Sequence, residues 1–152
     1  MTKSKLEEAL EKYLSVSTNL ELRAGVLEGA VYPTNDDGSR GENVATVAYK
    51  QEYGFPSENI PSRPFFRHAI SMNKQKWSGI LSNGFQHYDG DLELAMRATG
   101  EEIIDDLRES VRAWSSPPNS KETVDRKGFN NPLIDTGQLM NSFAYEVSDD
   151  QS

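Results

Sequence analysis

The 152-residue sequence predicts a single domain of the α+β class, with a small antiparallel sheet packed with about four helices. Three observations favour this class. Apolar residues recur at helical spacing through most of the chain. Two short stretches, one near each end, alternate apolar and polar residues as strands do. Turn-rich segments separate these elements.

The first two elements are a helix within residues 1–16 and a strand that starts at Leu20. Apolar residues recur at helical spacing over residues 4–14, Ser4 is placed as its N-cap, and glutamates fill the other face. We interpret this helix as packed on the domain, and the alternative is an arm that docks on a neighbouring subunit. Alternation from Leu20 to Val26 predicts a strand that can run on to residue 32.

Two helices follow a turn-rich loop at residues 33–42. The first begins near Val44 and ends before Gly54, which occupies the position that favours a glycine after a helix. Prolines at 61 and 64 hold the next segment extended. An apolar stripe then predicts a helix from Phe66 that ends near Gly84.

The last part of the chain is predicted to hold a long helix, a loop, a short helical turn and a strand. Asp89 is placed as the cap of the long helix, which reaches Trp114 and can bend at Gly100. Residues 115–132 form a long polar loop. A helical turn at 137–141 leads to a strand over 143–147, which pairs with the first strand, and residues 148–152 form a frayed tail.

Composition excludes several classes of function. There are no cysteines, so disulfides and thiolate chemistry are absent, and two histidines are too few for a three-histidine zinc site. The net charge of −8 disfavours binding to nucleic acid along the whole surface, because like charges repel phosphates. No apolar run approaches the roughly 18 residues of a membrane span, so no membrane partner is expected. No cofactor is expected either.

Charge is unevenly distributed along the chain. Residues 61–90 carry a net charge of +3 and residues 91–113 a net charge of −4. The cations of the first segment are Arg63, Arg67, Lys74 and Lys76. We interpret them as a solvated face, or as partners of acids on the long helix or on a neighbouring subunit. A small nucleic-acid patch near Trp77 is the alternative.

One tripeptide resembles a catalytic motif. Leu133 and Ile134 precede Asp135, Thr136 and Gly137, and two apolar residues followed by Asp-Thr-Gly is the local signature of aspartic proteases. That family continues with Ala or Ser and is nearly all β, whereas Gln138 follows here and helices dominate. The simpler interpretation is that Asp135 or Thr136 caps the short helical turn. A homodimeric protease built on Asp135 is the alternative.

Two stretches together resemble the tail-completion, or neck, proteins of tailed bacteriophages. The first is residues 47–54 followed by an Ile-Pro-x-Arg-Pro-Phe element. The second runs from 116 to 143 and includes the Asp-Thr-Gly turn. The motif residues are Ile60, Pro61, Arg63, Pro64, Phe65, Phe66, Leu133, Ile134, Asp135, Thr136 and Gly137.

The resemblance implies a non-enzymatic structural protein of the virion, present in the host cytoplasm during assembly. It would form a ring of six or twelve copies between the head connector and the tail, with DNA only as cargo through a channel. A ring needs two complementary surfaces on each subunit, and we expect the two charged segments to supply them. The candidate interface residues are Arg67, Lys74, Glu101, Glu102, Asp105 and Glu109.

Overall fold

The computed structural model describes residues 4–8, 10, 19–26, 29, 31, 37–114 and 138–149. In this part of the chain, helices account for most of the regular structure, and two strands form an antiparallel sheet. The elements are β1 (Leu20–Val26), α1 (Val44–Tyr53), a 3-10 turn (Pro56–Glu58), α2 (Phe65–His87), α3 (Leu92–Ala113), α4 (Gln138–Asn141) and β2 (Phe143–Asp149). The α+β prediction and the pairing of the first and last strands are confirmed.

The chain forms two compact units, each assembled from separate segments. The first unit comprises residues 1–24, 72–105 and 145–152, and the second comprises residues 25–71 and 106–144. Helices α2 and α3 and strands β1 and β2 each contribute residues to both units. Fully buried side chains of the second unit include Val44, Phe65, Leu107, Val111 and Leu139. The expectation of a single domain stays a prediction.

The N-terminal helix begins where the sequence predicts it. Residues 5–8 are helical, and the Ser4 hydroxyl accepts a hydrogen bond from the Glu7 amide at 3.1 Å. Such a cap satisfies one of the amides that a helix start leaves without a partner. Of the predicted loop at 33–42, the described residues 37–42 contain neither helix nor strand.

Gly84 does not end α2, so that prediction is wrong. The helix continues to His87, and a Cβ atom on Gly84 would lie 3.3 Å from the Cβ atom of Ala95 on α3. The glycine therefore marks a close approach of two helices. After α2 the chain turns, with positive φ angles at Asp89 and Gly90. The prediction that Asp89 caps the next helix is also wrong. Asp91 caps α3 instead, because its carboxylate accepts a hydrogen bond from the Leu94 amide at 3.2 Å.

Gly100 lies inside the continuous helix α3 and is buried. A Cβ atom there would lie 2.5 Å from Cδ2 and 2.6 Å from Cγ of Tyr145 on β2. Both distances are far below van der Waals contact. The absent side chain therefore lets the tyrosine ring lie directly on the helix backbone.

Tyr145 is expected to make the stability of the folded protein depend on pH in the alkaline range. Its hydrogen bond with Glu101 raises the pKa of the Tyr145 hydroxyl above its usual value of 10.0, and desolvation raises it further. The folded state therefore holds this proton more tightly than the unfolded state. The resulting stabilisation is present below pH 10 and is lost as the pH rises through the raised pKa.

We expect Glu101→Gln to lower the pKa of Tyr145, because the glutamine carries no negative charge to oppose ionisation of the phenol. The pKa is measured by tyrosinate absorbance, with a Tyr145→Phe variant subtracted to isolate this residue. Glu109→Gln is the control, since Glu109 pairs with Arg112 at 2.5 Å. Equal midpoints in all three tyrosine-containing proteins would contradict the prediction.

The C-terminal part agrees with the prediction where the structure describes it. Helix α4 lies within the predicted turn at 137–141, and β2 extends to Asp149, beyond the predicted end at 147. The predicted loop at 115–132, the motif residues 133–137 and their capping role lie outside the described residues. No helix in the described part of the chain is long and apolar enough to cross a membrane.

Candidate functional site

The Ile-Pro-x-Arg-Pro-Phe motif joins α1 to α2 through a closed turn. Helix α1 ends at Gly54, as predicted, with φ of 79°. A Cβ atom there would lie 3.0 Å from the Ser62 amide nitrogen, so a larger residue is excluded by both conformation and space. The turn is closed by paired backbone hydrogen bonds between Phe55 and Ile60, at 2.8 and 3.2 Å.

Helix α2 begins at Phe65, one residue before the predicted start. The residue before it is Pro64, which has no side-chain acceptor to cap the helix. Phe65 is fully buried, and its ring lies 6.2 Å from that of Phe143 and 6.4 Å from that of Phe66. The helix start is thus anchored in the core of the second unit.

Glu52 supplies the missing cap from another helix. Its side chain is only 7% exposed, and its carboxylate accepts hydrogen bonds from the amides of Phe66 and Arg67, both at 2.9 Å. These amides belong to the first turn of α2, which has no carbonyl partners within the helix. The negative charge also lies at the positive end of the helix dipole. Glu52 therefore fixes where α2 starts.

Arg67 is already paired within the chain. Its Nε atom donates to the Glu52 carboxylate at 2.9 Å, and its terminal nitrogen donates to the Glu52 carbonyl at 3.0 Å. The guanidinium lies over the ring of Tyr53, 4.7 Å from its centroid. The side chain remains about half exposed. Arg67 stays a candidate for a subunit contact, but its charge has a structural partner that the sequence did not indicate.

Arg63 is a buried structural arginine. Its guanidinium donates to the Gln51 side-chain oxygen at 2.9 Å, and its amide donates to the Gln51 carbonyl at 2.5 Å. Burial lowers the pKa of the Arg63 guanidinium. Ser62 adds a hydrogen bond from its hydroxyl to the Glu52 carbonyl at 2.8 Å. The polar residues of the motif thus hold the junction between α1 and α2 together.

Three of the other candidate interface residues have partners within the chain. Glu102 pairs with Lys76 at 2.7 Å, which confirms the predicted pairing of a cation from residues 61–90 with an acid on the long helix. Glu101 bonds Tyr145, and Glu109 pairs with Arg112. Lys74 and Asp105 are exposed, and within the described residues no ion pair involves Lys74.

An exposed cluster of aromatic, cationic and aliphatic side chains adjoins the motif, and we call it the aromatic–arginine surface. It comprises Tyr49, Tyr53, Arg67 and Ile70, all in the second unit. The tyrosines are 62% and 55% exposed, with ring centroids 4.9 Å apart, and Ile70 is one turn along α2 from Arg67. Sequence reasoning missed this surface. The signal was the spacing of the two tyrosines, four residues apart on a helix.

The described residues contain no group of three or more His, Asp or Glu side chains that could hold a metal ion. His68 lies edge-on to Trp114 with ring centroids 5.4 Å apart, and His87 lies edge-on to Tyr88 at 4.9 Å. Both histidines thus make aromatic contacts.

The chain matches no family model, and no curated protein or solved structure is significantly similar to it. The resemblance to tail-completion proteins therefore rests on the two motifs themselves. The structure describes the first of them, residues 47–54 and 60–67, in full.

Proposed function

We propose that this chain is a structural virion protein of a tailed bacteriophage. It forms a ring at the neck between the head connector and the tail and completes the tail for head–tail joining. The observation that supports this most is the junction at residues 50–67. Two of its charged residues, Glu52 and Arg63, are buried and make hydrogen bonds that shape the backbone, and large aromatic side chains are exposed beside them.

The exposed side chains next to the motif suit contact with another protein. Tyrosine and arginine are enriched where protein interfaces are most tightly packed. The tyrosine pair is fixed on α1, and Arg67 is held by Glu52, so the surface loses little conformational freedom on binding. Such a preformed surface is useful to a subunit that is completed by its neighbours.

A ring also needs a second, different surface on each subunit, because head-to-tail contacts join unlike patches. Helix α3 and the turn before it carry a net charge of −4 over residues 91–113. Its exposed acids include Glu101, Asp105 and Glu109. The overall charge of −8 also suits a ring through which DNA passes without sticking. Further copies and the adjoining connector and tail proteins are the proposed partners.

An early stop codon in this gene, in a phage or prophage that carries it, tests the proposal. We expect electron microscopy of the lysate to show full heads lying apart from tails, because the junction is incomplete. Supplying the wild-type chain from a plasmid is the control and restores joined particles. Normal, infectious particles without the protein would refute the proposal. Loss of a proteolytic cleavage in an Asp135→Asn variant would then favour the aspartic-protease alternative.

A further inference from the structure

The N-terminal helix has an apolar face that is exposed in the part of the chain that the structure describes. Every described residue from 4 to 10 is exposed, and Leu6 and Leu10 are 47% and 45% exposed. Four residues apart on a helix, the two leucines lie on one face. Short helices are marginal in water unless an apolar face is packed. This helix therefore has a face suited to a partner.

The aromatic–arginine surface has the complementary chemistry. Tyr49, Tyr53 and Ile70 offer apolar area for the two leucines, and the exposed part of Arg67 offers a positive charge. On the N-terminal helix, Glu7 borders the face formed by the two leucines, and its side chain is exposed.

We propose that the N-terminal helix of one copy docks on the aromatic–arginine surface of the next copy. Leu6 and Leu10 pack on the tyrosine rings, and a glutamate of the helix faces Arg67. Two different patches then meet at every subunit boundary, as a closed ring requires. This inference rests on the proposed function and names the partner of the surface described above.

The first test uses the absence of cysteine in the chain. Glu7→Cys and Tyr49→Cys variants are produced together, in place of the wild-type chain, in cells that assemble the phage, and the lysate is then treated with a mild oxidant, because the cytosol keeps thiols reduced. We expect a disulfide-linked dimer that needs both variants, because docking holds the two thiols at a millimolar effective concentration. Its yield should exceed that of a Glu7→Cys with Ser82→Cys control by about tenfold, since Ser82 is exposed on α2 away from both proposed surfaces. Equal yields in the two mixtures would overturn the proposal.

The second test separates this inference from the proposed function. The stop-codon phage is supplied from a plasmid with a Leu6→Glu, Leu10→Glu double variant or with Met72→Glu, whose side chain is exposed on α2 away from both proposed surfaces. We expect Met72→Glu to restore head–tail joining and the double variant to reduce joined particles at least about tenfold, since a lost hot spot costs 2 kcal/mol or more. Thermal unfolding of the purified chains verifies that both variants fold.

The outcomes are distinct. Full rescue by the double variant would overturn the docking of the N-terminal helix while leaving the neck function intact. Joined particles without any plasmid would refute the neck function itself. A cross-link that forms in Tyr49→Cys with another virion protein, and not with Glu7→Cys, would assign the surface to that protein and overturn the docking.

Discussion

Replacing Glu52 with alanine is expected to lower the free energy of unfolding by about 2–4 kcal/mol. The change removes the acceptor of two amides in the first turn of α2 and the partner of the Arg67 guanidinium. Arg67 is half exposed and can be rehydrated, so the loss is smaller than for a fully buried ion pair. For a chain of this size, we expect the melting temperature to fall by about 5–15 °C.

Two variants make the result specific. Glu52→Gln retains an oxygen that can accept a hydrogen bond and loses only the charge, so we expect roughly half of the destabilisation. Glu42→Ala is the matched control, because that carboxylate is about half exposed and lies 3.2 Å from Lys50, which retains its pairing with Glu58. We expect it to change stability by less than about 0.5 kcal/mol. Equal effects of Glu52→Ala and Glu42→Ala in chemical denaturation would show that the cap is not stabilising.

Replacing Gly100 with alanine is expected to destabilise the protein by about 1–3 kcal/mol, although alanine favours a helix over glycine by about 1 kcal/mol. The added methyl group would overlap the root of the Tyr145 ring, which cannot turn away as the end of a flexible side chain can. The expected sign is therefore opposite to that of helix propensity.

Gly79 allows the same glycine-to-alanine substitution at a helix position where the added methyl group has no close neighbour. It lies within α2, and an added Cβ atom would meet nothing within 4 Å, so Gly79→Ala should stabilise by about 0.5–1 kcal/mol. A double-mutant cycle gives the cause: in a Tyr145→Ala background, Gly100→Ala should no longer destabilise. A destabilisation of equal size in that background would place the strain elsewhere.

Local patterns in the sequence predicted most of the described fold. The alternation in β1, the spacing of apolar residues in α1 to α3 and the glycine after α1 each act within a few residues, and each is confirmed. Gly84 and Gly100 were harder to interpret, because the role of a glycine in a helix depends on what approaches it. Ala95 and Tyr145 are brought to them by folding, and no local spacing indicates this.

The candidate site was predictable as a motif but not as a set of contacts. The sequence placed Arg67 on a charged face, yet its partner, Glu52, lies 15 residues earlier on another helix. The same separation hid the cap of α2, since a helix start is expected to be capped by a residue next to it. The tyrosine pair was visible as a spacing, but only the exposure of both rings distinguishes it from a core contact.

The pairing of β1 with β2 has a consequence for how the protein is made. Residues 27–142 separate the two strands, so at ~5–20 residues per second the first strand is synthesised roughly 6–23 s before its partner. Throughout that interval, β1 can pair with a strand of another nascent chain. Its exposed charges, Glu21 and Arg23, oppose such pairing. The polar residues that alternate along β1 and mark it as a strand thus also oppose its pairing with other chains during synthesis.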